Sequence, residues 1–96
     1  MSASLSTHVL DTQRGRPASG VRVELLEGDA LVAGAETDED GRIPALAEVE
    51  PGVYRLVFHP PSSFFRRVEL ELELAGGHYH VPLLLAPYSC TIYRGS

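Results

Sequence analysis

The sequence has no lysine, a single cysteine and no long apolar run. Without lysine, Schiff-base chemistry and a phosphate-binding P-loop are excluded, since both need a primary amine. All eight cationic residues are arginines, set against thirteen acidic ones, and the formal charge is −5. That balance lacks the basic face that sequence-independent nucleic-acid binding requires. Nothing approaches the ~20 apolar residues of a membrane span. No basic segment followed by an apolar one opens the chain, as a leader would. The lone cysteine, Cys90, excludes an internal disulfide and fits a reducing compartment. The expectation is a cytoplasmic protein with neither nucleic acid nor membrane as partner.

Ninety-six residues suit one domain spanning 1–96. A chain of this size buries roughly 60–65% of its unfolded surface, so a large internal pocket would consume much of the core. An active site is therefore expected on the surface or between subunits.

A sustained helical period is also missing. What is present is alternation. In residues 67–74, Val68, Leu70, Leu72 and Leu74 fall on one face and Glu69, Glu71 and Glu73 on the other. Leucine and glutamate favour helix individually, but a period of two cannot make one helical stripe, so a strand with one solvated face is predicted. Val21, Val23 and Leu25 alternate similarly, as do residues 53–59. Turn chemistry punctuates the chain at Gly15-Arg16-Pro17, Glu27-Gly28-Asp29, Asp38-Glu39-Asp40-Gly41, Glu50-Pro51-Gly52, His59-Pro60-Pro61 and Gly76-Gly77. Strands are predicted near 4–11, 20–27, 30–37, 42–46, 53–59, 66–75, 78–85 and 88–95, which suggests an all-β sandwich.

Four histidines stand out: His8, His59, His78 and His80. His78 and His80 are two apart and share a strand face. Such a pair can supply two zinc ligands, with His8 as the candidate third. The more frequent explanation is an exposed polar face, and no Cys/His cluster completes a site. Acid–base work is the other functional reading, because imidazole titrates near neutrality. Cys90 could be a nucleophile, but a lone cysteine on a strand is more often a small buried hydrophobe. Arg42 follows an acidic turn. It is either an exposed arginine of little energetic weight or a guanidinium fork presented to a planar anion. Tyr93, Arg94 and Ser96 offer donors in a small space if the last strand holds them in place. Otherwise they fray. The glutamate row reads as a solvated face that discourages edge-to-edge association.

Three segments resemble the transthyretin-like family, and within it the 5-hydroxyisourate hydrolase branch. The first is Thr7-His8-Val9-Leu10-Asp11, with Gly15-Arg16-Pro17-Ala18, Val21 and Val23 following. The second is Thr37-Asp38-Glu39-Asp40-Gly41-Arg42-Ile43. The third runs His78-Tyr79-His80-Val81-Pro82-Leu83-Leu84-Leu85, then Pro87-Tyr88-Ser89, and ends Tyr93-Arg94-Gly95-Ser96. The terminal tetrapeptide and His80 are features of the hydrolase branch that the vertebrate hormone carriers lack. The resemblance implies a sandwich of two four-stranded sheets, assembled as a homotetramer with sites at the dimer–dimer interface. It implies hydrolytic ring opening of 5-hydroxyisourate to 2-oxo-4-hydroxy-4-carboxy-5-ureidoimidazoline in urate breakdown, with no metal and no organic cofactor. It assigns catalysis to His8, Arg42 and His80, and substrate binding to Tyr93, Arg94, Gly95 and Ser96. His78 takes a structural or supporting place.

The chain departs from the family pattern in three respects. Only His59-Pro60-Pro61-Ser62-Ser63 follows the strand at 53–58, where the family has a connection containing a short helix. That helix is expected to be missing, and adjacent prolines disfavour it. Cys90 stands where an aromatic residue is usual, and Ala86 where serine is common. A non-enzymatic small-ligand-binding module on the same fold is the alternative function. A partner-binding β-domain and a metal-dependent hydrolase built on His8, His78 and His80 stand behind it.

Overall fold

The computed structural model describes the whole chain from Met1 to Ser96. It contains ten strands and no helix: β1 (Ala3–Asp11), β2 (Arg16–Pro17), β3 (Arg22–Glu27), β4 (Ala30–Glu36), β5 (Arg42–Val49), β6 (Gly52–His59), β7 (Val68–Leu74), β8 (Gly77–His80), β9 (Leu83–Ala86) and β10 (Ser89–Ile92). One sheet has the order β4-β3-β6-β7, with every pair antiparallel. The other is centred on β1, which pairs with β5 and the two-residue β2 antiparallel, and with β8 and β9 parallel; β10 closes it against β9. This sheet contains six segments. Since β8 and β9 lie end to end along β1 and β2 merely extends the β5 edge, it is four strands wide, as the sandwich expectation requires.

The split between β8 and β9 corrects the single strand predicted over 78–85. Pro82 has no N–H to give to the β1 ladder. The break is sealed by Val81, whose N–H donates to the Ser6 carbonyl at 2.9 Å while its own carbonyl accepts from the Thr7 hydroxyl at 2.6 Å. The last strand ends at Ile92, not 95, and the tail beyond it returns to make a bridge from Gly95 to His80.

The core forms where the inner faces meet. Leu5 and Val9 of β1, Val23 and Leu25 of β3, Leu56 and Phe58 of β6, and Leu83 of β9 are fully buried there. The predicted alternation in β7 is realised, with Val68, Leu70, Leu72 and Leu74 inward and the glutamates exposed. No helix bridges β6 and β7. Instead, the Ser62 hydroxyl accepts from the backbone N–H of Phe64 and Phe65, a side-chain turn that makes a short reversal possible. Buried Thr37 ties the connection from β4 to β5 onto the one from β2 to β3. Its hydroxyl donates to the Ala18 carbonyl at 2.7 Å and accepts from the Val21 N–H at 2.9 Å.

Two glycines with positive φ differ in surroundings. At Gly41 (φ 74°) an added Cβ would lie 2.5 Å from the Val9 carbonyl oxygen and 2.9 Å from Pro17. At Gly28 (φ 59°) nothing lies within 4 Å. Gly28→Ala is expected to cost about 1–3 kcal/mol for its backbone conformation alone. Gly41→Ala should cost more, because backbone must also move. Urea unfolding of both variants tests this, and equal losses would contradict it.

Candidate active site

The strand β1 builds the site by alternation. Ala3, Leu5, Thr7 and Val9 point into the core and are buried, so Ser4, Ser6 and His8 are presented on the outer face of the sheet. Register decides what joins them. On the β8 side Ser4 lies opposite His78 and Ser6 opposite His80. On the β5 side Ser4 lies opposite Glu48 and His8 opposite Arg42.

The last pairing depends on an irregularity. Ala3, Ser4 and Leu5 pair with Val49, Glu48 and Ala47, but Thr7 and His8 pair with Ile43 and Arg42. Had the first register continued, Pro44 would stand opposite His8. The bulge between Ile43 and Ala47, which contains Pro44, advances β5 by two residues, preserving the sense of each face and putting Arg42 beside His8. Directly opposed side chains have Cβ atoms about 4.5–5.5 Å apart. The turn before β5 is fixed by Asp38, whose carboxylate accepts from the N–H of Asp40 and of Arg42, each at 2.9 Å. That turn also orients His8. Its Nε2 lies 2.8 Å from the Asp40 carbonyl oxygen. A carbonyl only accepts, so Nε2 carries the proton.

On the other side of β1, the Ser6 hydroxyl is shared between His80 Nδ1 at 2.8 Å and His78 Nε2 at 2.9 Å, and His78 Nδ1 reaches the Ser4 hydroxyl at 2.7 Å. His80 Nε2 has no hydrogen bond within the chain. Ser6 and His8 are same-face neighbours, about 7 Å apart along a strand, so His8, Arg42 and His80 bound one patch of the outer face. Burial pushes the His80 pKa below its ordinary value of 6.5, and the charges of His8, Arg42 and His78 push it the same way. His80 is therefore held neutral at physiological pH. A neutral imidazole with a free nitrogen, a guanidinium and a second imidazole on one face suit proton transfer beside a developing anion.

The terminal tetrapeptide divides. Gly95 sits against His80, donating its N–H to the His80 carbonyl at 2.7 Å, and a Cβ there would lie 2.7 Å from His80 Cδ2. Ser96 follows it, exposed, at the end of the chain. Arg94 is engaged elsewhere in the monomer. Its guanidinium lies 4.2 Å from the Tyr79 ring centroid and donates to the His78 carbonyl at 3.3 Å. Tyr79 pairs with core-facing Leu5, so Arg94 and Tyr93 line an apolar cleft with Leu70, Leu72 and Ile92 at the open edge of the sandwich. The structure does not bring these two side chains to the three expected catalytic residues.

Other residues singled out in the sequence fall apart from the patch. His59 lies in the opposite sheet, with Nε2 2.8 Å from Glu24. Cys90 is half-buried against the core. No three His, Cys, Asp or Glu side chains converge as a set of metal ligands. No helix is long and apolar enough to cross a membrane. Sequence reasoning missed Ser4 and Ser6, although the period of two from His8 places both on its face.

Comparison with known proteins agrees with this geometry. A family model described as HIUase/Transthyretin family matches residues 5–95. The chain is 44% identical to 5-hydroxyisourate hydrolase 2 of Rhizobium meliloti, over 99% of this chain and 98% of the relative. That alignment runs over 117 positions, more than the 96 residues present here, so this chain lacks segments the relative has. In structure it is similar to the 5-hydroxyisourate hydrolase of Klebsiella pneumoniae, with a TM-score of 0.91 and 34% identity, covering 98% of this chain and 99% of the other. It is also similar to sea bream transthyretin solved in complex with thyroxine, with a TM-score of 0.83 and 26% identity, covering 95% and 93%. With its motifs, its paired sheets and nearly its whole length matched, the chain belongs to the HIUase/Transthyretin family.

Proposed function

We propose that this chain, acting as one transthyretin-like domain over residues 1–96, hydrolyses 5-hydroxyisourate in the cytoplasm as a step of urate breakdown. The observation that carries the reading is the outer-face patch, where neutral His80 with a free Nε2 stands beside His8 and Arg42 in a chain similar to 5-hydroxyisourate hydrolases over nearly its full length.

His80 Nε2 is the general base. It takes a proton from water as the water oxygen attacks the carbonyl carbon of the cyclic amide. Arg42 stabilises the negative charge that gathers on the carbonyl oxygen. The tetrahedral species collapses by breaking the ring carbon–nitrogen bond, and the proton held on His80 passes to the leaving nitrogen. His8, with its ring fixed on the Asp40 carbonyl, orients the substrate. Gly95 and Ser96 close the patch beside His80, and Tyr93 and Arg94 anchor the tail that carries them. Water and these side chains supply the groups the reaction needs.

The patch lies on an open sheet face and has no wall of its own on the solvent side. A homotetramer in which the outer faces of two dimers oppose each other would enclose it, and exposed Thr91 with half-buried Leu10 and Leu84 on the same face suits such packing. Light scattering should give the mass of four chains at micromolar concentration. A monomer that hydrolyses the substrate at full rate would overturn the enclosed site.

Alanine at His8, Arg42 or His80 should each lower kcat/KM by at least ~100-fold, followed by the ultraviolet decay of 5-hydroxyisourate. Wild-type rates in all three would dismiss the assignment. Gly95→Ala should also lower kcat, because the new methyl displaces the His80 ring. The acid limb of kcat/KM reports the free enzyme's base. With His80 depressed, activity should persist below pH 6.5 and fall only at more acid pH. A limb centred above 6.5 would exclude His80 as the base.

A further inference from the structure

The buried Ser6 hydroxyl joins two histidines, and the proposed mechanism leaves that arrangement unused. A hydroxyl has one proton. It can donate to His78 Nε2 or to His80 Nδ1, but not to both, so the nitrogen it does not serve must itself be an N–H donor. The tautomers of the two rings are thereby locked together. Two orders satisfy every contact, and they differ in whether His80 Nε2 carries a lone pair or a proton. Arg42 and His8 share the outer face with His80, and a nearby cation attracts a lone pair and repels an N–H.

We infer that Ser6 and His78 are positioning residues that hold His80 in the tautomer with Nδ1 protonated and the Nε2 lone pair turned to the outer face, and that they receive the positive charge His80 would otherwise carry. This consequence for catalysis rests on the hydrolase reading. In the resting order His80 Nδ1–H donates to Ser6, Ser6 O–H donates to His78 Nε2, and His78 Nδ1–H donates to Ser4. When Nε2 takes a proton from the attacking water, the Nδ1 proton passes to Ser6 and the Ser6 proton to His78 Nε2. The imidazolium then sits on His78, which is exposed and one same-face position further from His8 and Arg42 than His80 is. When the ring nitrogen leaves, the protons retrace this route, and His80 Nε2–H is given to that nitrogen. No net proton is gained or lost.

Nitrogen-15 NMR of histidine-labelled protein reads the tautomers without reference to activity. The expected result is neutral His80 protonated at Nδ1, with that preference lost in Ser6→Ala. The opposite tautomer in the wild-type protein would overturn the inference. In kinetics, Ser6→Ala should lower kcat about tenfold or more with little change in KM. Ser6→Thr, which keeps the hydroxyl and suits a strand, should recover most of it. His78→Gln, at an exposed position, keeps a hydrogen-bonding side chain but cannot take the proton. It should lower kcat and, because the ring that receives the positive charge is lost and His80 must carry it beside Arg42, move the acid limb to lower pH. Wild-type kcat and pH profile in both Ser6→Ala and His78→Gln would overturn the inference too. A wild-type protein that does not hydrolyse the substrate would defeat the hydrolase reading, and the NMR result would then decide the hydrogen-bond order alone.

Discussion

The register of β1 is the constraint on which the rest depends. This strand has neighbours on both edges along most of its length and faces in both directions. Its odd-numbered residues from Ala3 to Val9 fill the core, while Ser4, Ser6 and His8 emerge on the far side. A slip of one residue would bury two serines and a histidine and expose Leu5 and Val9, so the hydrophobic term that stabilises the sandwich also specifies which side chains form the site. Pairing with β8 then delivers His78 and His80, and pairing with β5 delivers Arg42. These partners come from segments more than thirty residues from His8 in sequence, yet each is fixed by backbone hydrogen bonds to the same strand.

Two irregularities adapt that regular frame to chemistry. The bulge between Ile43 and Ala47, which contains Pro44, moves Arg42 into register with His8. Pro82 stops the β8 ladder one residue beyond Val81, and from there the chain continues as β9 along the same edge of β1. Both sites carry proline, which cannot donate to a ladder. Gly95 adds a third local requirement, since only a residue without Cβ fits against the His80 ring. The site is thus assembled by sheet geometry and trimmed by residues whose distinction is what they lack.

Much of this was legible in the sequence. The Val-Glu-Leu-Glu-Leu-Glu-Leu run of β7 declared its inner and outer faces, because period two admits one reading. The His8, Arg42 and His80 positions were marked by motifs, and the structure brings them to one face. The missing helix was announced by Pro60-Pro61 and a short connection. Other features were hidden for physical reasons. A bulge shifts pairing between strands, and alternation within one strand carries no record of it. The division at Val81-Pro82 was masked by apolar residues on both sides. The part played by Ser6 depends on two histidines arriving across a parallel pairing, which local sequence does not encode. Arg94 was read as a site residue from its place in the tail, but Tyr79 and the His78 carbonyl hold its guanidinium at the edge of the sandwich.

The central claim is that the outer-face patch is a working hydrolytic site in a chain shorter than the relatives it resembles. It is tested most directly by the ultraviolet decay of freshly generated 5-hydroxyisourate with and without folded wild-type protein. The account predicts decay faster than the spontaneous rate, in proportion to protein concentration and saturable in substrate. Decay at the spontaneous rate, from protein whose folding and assembly have been verified, would contradict it and leave a small-ligand-binding module on the same fold.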